Sequence, residues 1–233
     1  MPKIKLFCLP YAGASAIVYS RWKKYLSSEI ELCPVELAGR GRRFSSPNYS
    51  SMEEAVEDVY NSIKHNLDDV PYALFGHSMG SIIAFELYYR IKRLKHKGPV
   101  HIFFSGRGAP KNHSLDRKVI YHLPDDEFLK EVMEYGGMPE EFVGNRELLD
   151  IFMPVLRSDF KIIDTYNYIQ GNEKIDCNIT VLNGIEDNTI KGSINDWEDY
   201  ISGTFQVVNF DGGHFFINNQ EESVTNVINK VLL

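Results

Sequence analysis

Short runs rich in β-branched and aromatic residues alternate along this chain with longer segments of helical period. This alternation is typical of a parallel sheet that is covered by helices on both faces. We therefore predict an α/β fold with a mostly parallel sheet. The predicted strands are Ile4–Leu9, Ile30–Val35, Tyr72–Phe75, Val100–Ser105, Ile179–Leu182 and Phe205–Phe210.

The helical segments between these strands carry start and stop signals. Ser51 and Glu54 fit a capping box before an apolar pattern with spacings of three and four. Another helix opens after the sequence G-H-S-M-G, and cations followed by Gly98 are expected to end it. The helices predicted outside the longest insertion are 52–67, 80–94 and 224–231.

The stretch from about residue 111 to residue 174 breaks this alternation. It contains two helical patterns, at 125–135 and 146–166, and no convincing strand. Connections in α/β units more often run about two to six residues. We expect a single α/β domain over 1–233 that carries this stretch as a helical insertion. The insertion is either a lid over the active site or a buttress that extends the core.

Charge and apolar content argue against several classes of partner. The chain carries 25 Lys and Arg against 32 Asp and Glu, a formal net charge of −7, so nucleic-acid binding is not expected. No apolar run approaches the length of a membrane span, and the run at the start is too short for a signal peptide. We expect a cytoplasmic protein with no membrane partner, and nothing demands more than a monomer.

The cysteines indicate packing rather than cofactor chemistry. Cys8, Cys33 and Cys177 lie far apart, with no C-x-x-C pair and no histidine cluster at ligand spacing. Neither a disulfide framework nor a zinc site is implied. We expect no metal and no cofactor.

Residues 76–80 read G-H-S-M-G and stand between a predicted strand and a predicted helix. This is the context in which G-x-S-x-G forms a nucleophile elbow. The serine backbone is strained in such a turn, and the flanking glycines let strand and helix approach closely. We interpret Ser78 as the nucleophile, in preference to an ordinary Gly/Ser turn.

A serine hydroxyl needs a histidine base, and the base needs a carboxylate that fixes its tautomer. The α/β-hydrolase order is serine, acid, histidine, and of the seven histidines only His214 follows late enough. It lies in the glycine-rich sequence D-G-G-H-F-F, directly after the last predicted strand. His214 is therefore the predicted base.

The acid is expected where the preceding strand ends, and there Glu186 and Asp187 follow a glycine turn. We choose Asp187, because adjacent residues of a turn point apart and the shorter side chain is the usual partner. Asp211 is a rival three residues before His214, although its closeness suits a hydrogen bond that shapes the loop better.

The developing oxyanion needs two backbone N–H donors. The amide of Met79, the residue after the nucleophile, is the first candidate. The second should come from the loop after the first strand, P-Y-A-G-A-S at 10–15, where Ala12 is the favoured donor.

Four further segments form a recognisable set: L-P-Y-A-G at 9–13, E-L-A-G-R-G-R-R at 36–43, L-R-S-D-F at 156–160 and G-G-H-F-F at 212–216. With the elbow, they resemble the type II thioesterases, the stand-alone editing hydrolases of nonribosomal peptide and polyketide synthases. Ala14 and Ala38 depart from this pattern, where the family often has glycine and proline. Thioesterase domains fused to synthetases commonly carry the acid after the strand before the lid, where this chain reads S-G-R at 105–107.

The resemblance implies an α/β-hydrolase fold and hydrolysis of acyl groups held on the 4′-phosphopantetheine arm of peptidyl or acyl carrier domains. Ser78 would attack the thioester with His214 as base, and the insertion would be a mobile lid that admits the arm. Several apolar residues of the insertion are candidates for an acyl slot, although their helical spacing favours core contacts. They are Phe128, Val132, Phe142, Phe152 and Leu156.

Three arginines, Arg40, Arg42 and Arg43, are candidates for binding the phosphate of the arm, but internal ion pairs are the favoured interpretation. A general carboxylesterase or acyl-CoA thioesterase would use the same triad, and only the family segments argue against it. A catalytically silent binding protein is disfavoured, because it has no need of an intact triad.

Overall fold

The computed structural model describes residues 3–115, 118–136, 145–168 and 173–233. These residues form a six-stranded sheet in the order β2-β1-β3-β4-β5-β6, and every neighbouring pair is parallel. The predicted α/β class is therefore confirmed. The strands are β1 (Ile4–Leu9), β2 (Ile30–Pro34), β3 (Tyr72–His77), β4 (His101–Ser105), β5 (Asn178–Gly184) and β6 (Phe205–Phe210).

The α-helices of the described residues follow the predicted pattern closely. They are α1 (Met52–Ile63), α2 (Met79–Arg93), α3 (Asp125–Glu134), α4 (Arg146–Thr165) and α5 (Glu221–Leu232). A 3₁₀ segment, Ala16–Lys24, follows the loop after β1. None of the described helices combines the length and apolarity that a bilayer span requires.

Side chains of the sheet alternate between two apolar cores, one on each face. In β1, Phe7 and Leu9 belong to the core that α1 and α2 cover. Leu6 and Cys8 belong to the opposite core, which α5 and the segment Ala16–Lys24 cover. The sheet is thus buried on both sides, as the near-continuous apolar strands indicate.

Two predicted end signals differ in detail from the structure. The Ser51 hydroxyl accepts a hydrogen bond from the Glu54 amide at 3.2 Å, but the Glu54 carboxylate accepts from the amide of Ser50 at 2.7 Å rather than from Ser51. The second helix ends at Arg93, five residues before Gly98, and Lys95 rather than a glycine adopts the left-handed conformation after it, with φ of 61°. The predicted helix stop at Gly98 is therefore wrong.

The described part of 111–174 contains helices and turns but no strand. Its helices α3 and α4 share a small apolar cluster that is separate from the two sheet cores. Arg157 of α4 ties them together, because its guanidinium lies 2.6 Å from Asp125 and 4.4 Å from the ring centre of Phe128. The Ser158 hydroxyl donates to the carbonyl of Tyr49 at 2.8 Å and joins α4 to the rest of the domain.

The close approach of α2 to β1 makes Gly80 sensitive to substitution. A Cβ at Gly80 would lie 2.1 Å from the carbonyl oxygen of Leu9, whereas one at Gly98 would meet nothing within 4 Å. Gly80→Ala should lower the free energy of unfolding by about 2 kcal/mol or more, because the helix must move. Gly98→Ala, as control, should stay within about 0.5 kcal/mol of the parent. Urea unfolding measures both, and equal effects would contradict the expected contact.

Candidate active site

The nucleophile elbow connects β3 to α2. Ser78 has φ of 53° and ψ of −111°, a positive φ that only a tight turn imposes on a residue with a side chain. A Cβ at Gly76 would lie 2.1 Å from the carbonyl oxygen of Gly80, so the turn excludes any side chain there. The Ser78 amide donates to the carbonyl of Ser105 at 2.8 Å and fixes the elbow to β4.

The structure brings the three predicted triad residues into one chain of hydrogen bonds. His214 Nε2 lies 2.9 Å from the Ser78 hydroxyl oxygen. His214 Nδ1 lies 2.8 Å from Asp187 Oδ2. The side chains of His214 and Asp187 are 5% and 0% exposed, so water does not compete for their contact. This geometry can activate a serine hydroxyl, because the carboxylate holds the proton on Nδ1 and leaves Nε2 free to accept one.

Thr189 completes the surroundings of the acid and was not singled out from the sequence. Its hydroxyl donates to Asp187 Oδ1 at 2.6 Å and lies 3.0 Å from His214 Nδ1. Burial alone would raise the pKa of Asp187, but the hydrogen bonds from His214 and Thr189 outweigh burial and hold that pKa below its ordinary value. The rival carboxylates Glu186 and Asp211 are exposed.

The loop after β1 forms a turn beside the nucleophile. The Ala14 amide donates to the carbonyl of Tyr11 at 3.0 Å, and Gly13 has φ of +76°, which gives the turn a type II form. The Ala12 amide has no acceptor among the described residues. The Met79 amide opens α2, where N–H groups lack intrahelical acceptors. Both amides thus lack an intrachain acceptor among the described residues, and their role as oxyanion donors stays a prediction.

His77, the second residue of the elbow, packs against the base. Its ring centre lies 5.2 Å from that of His214, and its Nδ1 lies 2.8 Å from the Ser105 hydroxyl. Burial, reinforced by the neighbouring His214, lowers the pKa of His77 well below its ordinary value. His77 is therefore neutral at physiological pH, and no second imidazolium opposes a proton on the base.

Two clefts of different character meet at Ser78 and His214. One, of about 320 Å³, lies between the loop after β1 and the helices of the insertion. Its lining is mainly apolar and includes Tyr11, Val18, Val132, Phe152, Leu156, Phe160, Ile163 and Phe215, while Arg107 lines both clefts. The other, of about 370 Å³, has a lining with charged residues, namely Arg107, Lys118, Glu131, Glu134, Asp164 and Lys191. Tyr135 stands between them, with its ring centre 5.9 Å from that of His214.

The candidate acyl-slot residues fall into three groups. Val132, Phe152 and Leu156 line the apolar cleft and also contact the apolar cluster of the insertion. Phe128 is 0% exposed and lies within that cluster, so it is a core contact. Phe142 lies outside the described residues.

The arginine cluster is largely committed to internal ion pairs. Arg40 is buried, and its guanidinium nitrogens lie 2.6 and 2.7 Å from the two carboxylate oxygens of Asp159. Arg43 pairs with Asp58 at 2.6 Å, while Arg42 is exposed. Arg40 is therefore not placed to meet a phosphate.

Within the described residues, no group of three or more His, Cys, Asp or Glu side chains is arranged to hold a metal ion.

Comparisons with known proteins identify the family of this chain. Residues 4–232 match the family model of the thioesterase domain. The chain belongs to the thioesterase family. The sequence of this thioesterase is 36% identical to the gramicidin S biosynthesis protein GrsT of Aneurinibacillus migulanus over 92% of this chain and 83% of that one. It is 30% identical to the medium-chain S-acyl fatty acid synthase thioesterase of Homo sapiens, over 98% and 87% of the two chains.

A solved structure extends these similarities to the fold. The crystal structure of ClbQ, from the colibactin NRPS/PKS pathway, matches this thioesterase with a TM-score of 0.93 at 34% identity, covering 99% of this chain and 97% of the other. The predicted α/β-hydrolase fold and the resemblance to type II thioesterases are confirmed. The family activity, thioester hydrolysis, is therefore the activity of this chain.

Proposed function

We propose that this thioesterase removes misprimed or stalled acyl groups from the 4′-phosphopantetheine arm of peptidyl or acyl carrier domains in nonribosomal peptide or polyketide synthesis. The names of its relatives support the proposal, because GrsT takes part in gramicidin S biosynthesis and ClbQ belongs to an NRPS/PKS pathway. The observation that carries it is the Asp187–His214–Ser78 hydrogen-bond chain at the meeting point of an apolar cleft and a cleft of mixed lining that includes charged residues. An acyl thioester on a pantetheine arm has the same two-sided character, with hydrocarbon on one side and amides on the other.

The reaction proceeds in two steps. The Ser78 hydroxyl oxygen attacks the thioester carbonyl while its proton passes to His214 Nε2, and Asp187 stabilises the imidazolium. The amides of Met79 and Ala12 donate to the oxyanion. The C–S bond then breaks, the pantetheine sulfur leaves with the proton from His214, and the acyl group stays on Ser78. Water attacks this ester with His214 again as base, which releases the carboxylic acid and restores Ser78.

The helical insertion is proposed to cover the active site. We infer that residues 1–233 form one α/β-hydrolase domain and that 111–174 act as its lid, since α3 and α4 supply one wall of the apolar cleft. A monomer suffices, because one chain supplies Ser78, Asp187 and His214. The proposed setting is the cytoplasm, where carrier domains are loaded.

The test compares acyl release from an acetyl-phosphopantetheinyl carrier domain with release from acetyl-pantetheine, acetyl-coenzyme A and phenyl acetate. We expect kcat/KM for the carrier to exceed the other three by about tenfold or more, because the carrier adds contacts outside the clefts. Ser78→Ala serves as the blank, and the same carrier without an acyl group serves as competitor. Equal or better turnover of phenyl acetate, with the carrier ignored, would instead make the protein a general esterase. Preference for acetyl-coenzyme A over the carrier would make it an acyl-CoA thioesterase.

A further inference from the structure

Asp159 is a buried carboxylate of α4 that the two-step reaction does not use. Its side chain is 0% exposed, and its Oδ2 accepts the amide of Gly13 at 2.7 Å. The guanidinium of Arg40 donates to both carboxylate oxygens, at 2.6 and 2.7 Å. A buried charge is costly unless it is paired and fully hydrogen-bonded, and here the fork of Arg40 meets that requirement. The hydrogen bond from the Gly13 amide joins this carboxylate to the backbone of the loop after β1.

The Gly13 amide lies one peptide away from the proposed oxyanion donor. The peptide between Tyr11 and Ala12 is held by its carbonyl, which accepts from the Ala14 amide at 3.0 Å. The next peptide, between Ala12 and Gly13, is held by its N–H, which donates to Asp159. Because peptide units are planar, fixing both of them fixes the φ and ψ of Ala12 and the direction of its own N–H.

The helix that carries Asp159 also presses directly on this turn. A Cβ at Gly13 would lie 2.8 Å from Phe152 Cζ and 2.9 Å from Leu156 Cδ1, both on α4. Arg40 contacts the same turn, since its Nη1 donates to the carbonyl of Ala14 at 3.4 Å. The turn is therefore held by contacts with both α4 and Arg40.

We infer that Asp159 is a positioning residue that aims the Ala12 amide at the oxyanion through the Gly13 hydrogen bond, with Arg40 holding Asp159 in place. The helix that covers the active site thereby also sets the geometry of the oxyanion hole. This inference rests on the proposed function in one respect, the use of Ala12 as an oxyanion donor.

The test is Asp159→Asn. An asparagine cannot accept both the Gly13 amide and the Arg40 fork, because one of its two terminal atoms is itself a donor. We expect kcat for thioester hydrolysis to fall by about 10- to 100-fold, which does not exceed the effect of removing a whole oxyanion donor. KM should change by no more than about threefold. Affinity for an acyl trifluoromethyl ketone, which forms a tetrahedral adduct on Ser78, should fall by the same factor as kcat. Affinity for the corresponding thioether, which has no carbonyl to become an oxyanion, should stay unchanged.

Two further variants separate positioning from a general loss of structure. Asp58→Asn breaks another fork-to-carboxylate pair, in which Arg43 lies 2.6 and 2.8 Å from the two oxygens of Asp58, and it should leave kcat within about twofold. Arg40→Lys keeps the charge on Asp159 balanced but loses the fork, and it should show a smaller loss of kcat and of ketone affinity in the same direction. It replaces Asp159→Asn as the deciding variant if the latter does not fold.

The measurements distinguish failure of this inference from failure of the proposed function. A folded Asp159→Asn enzyme with kcat and ketone affinity within twofold of wild type would overturn the inference, and so would an equal loss of thioether affinity. The ratio of variant to wild-type kcat is measured on phenyl acetate as well as on the loaded carrier. A wild-type enzyme that hydrolyses the ester and ignores the carrier would end the proposed function, while the same ratios would still decide the role of Asp159.

Discussion

Ser78→Gly should abolish thioester hydrolysis and at the same time raise the free energy of unfolding by about 1 kcal/mol. The backbone of Ser78 has φ of 53°, a region that strains any residue with a Cβ and that glycine adopts freely. Removal of the attacking hydroxyl should lower kcat by a factor of about 10⁴ or more. Acyl release from the loaded carrier measures the first effect, and urea unfolding measures the second.

Two serine variants serve as controls for this prediction. Ser78→Ala should lose the same activity without the gain in stability, because alanine keeps the Cβ. Ser81 is a buried serine three residues on, and its hydroxyl oxygen lies 2.7 and 3.0 Å from the carbonyl oxygens of Gly76 and Ser105, to one of which it donates. Ser81→Ala should therefore lose about 1 to 2 kcal/mol of stability and keep most of its turnover. Turnover by a folded Ser78→Gly enzyme would contradict the nucleophile assignment, and a lower stability would contradict the strain.

The sequence predicted those parts of the fold that depend on local period and on turn chemistry. The bounds of β1 and β6 agree with the prediction, because apolar strands of a parallel sheet stand out between polar turns. The elbow was predictable because G-x-S-x-G requires a strand before it and a helix after it. The end of α2 lies one residue from its predicted place, but the predicted glycine stop was wrong, because the left-handed residue there is Lys95 and glycine is only the more frequent choice.

The contacts that the sequence did not predict join residues distant along the chain. Asp159 and Arg40 are 119 residues apart, and no periodicity connects them. Both lie in segments that carry the family resemblance, which marked them without assigning a role. The sequence favoured an internal ion pair for Arg40 over a phosphate ligand, but only the structure identifies Asp159 as the partner. Thr189 follows the acid by two residues, so a hydroxyl beside a predicted acid was the one local signal available for it.

Asp187→Asn should lower kcat by a factor of about 10³ to 10⁴ while the protein stays folded. An asparagine can place its NH₂ group against His214 Nδ1, and it then stabilises the tautomer with the proton on Nε2. That tautomer cannot accept the proton of Ser78, from which Nε2 lies 2.9 Å away. The pKa of Asp187 lies below its ordinary value, so the wild-type carboxylate remains ionised under assay conditions. The measurement is kcat on the loaded carrier, with circular dichroism and urea unfolding as evidence of the fold.

The neighbouring carboxylates supply matched controls for the Asp187 variant, because both were rivals for the same role. Glu186 precedes Asp187 and Asp211 precedes the base by three residues, but both are exposed. Glu186→Gln and Asp211→Asn remove the same charge from the same edge of the sheet, and each should keep kcat within about twofold of wild type. If either control lost as much activity as Asp187→Asn, the loss would reflect the local field rather than the tautomer of His214. A loss confined to Asp187→Asn means that the carboxylate acts through its own buried contacts, because neither neighbour makes the 2.8 Å hydrogen bond to His214 Nδ1.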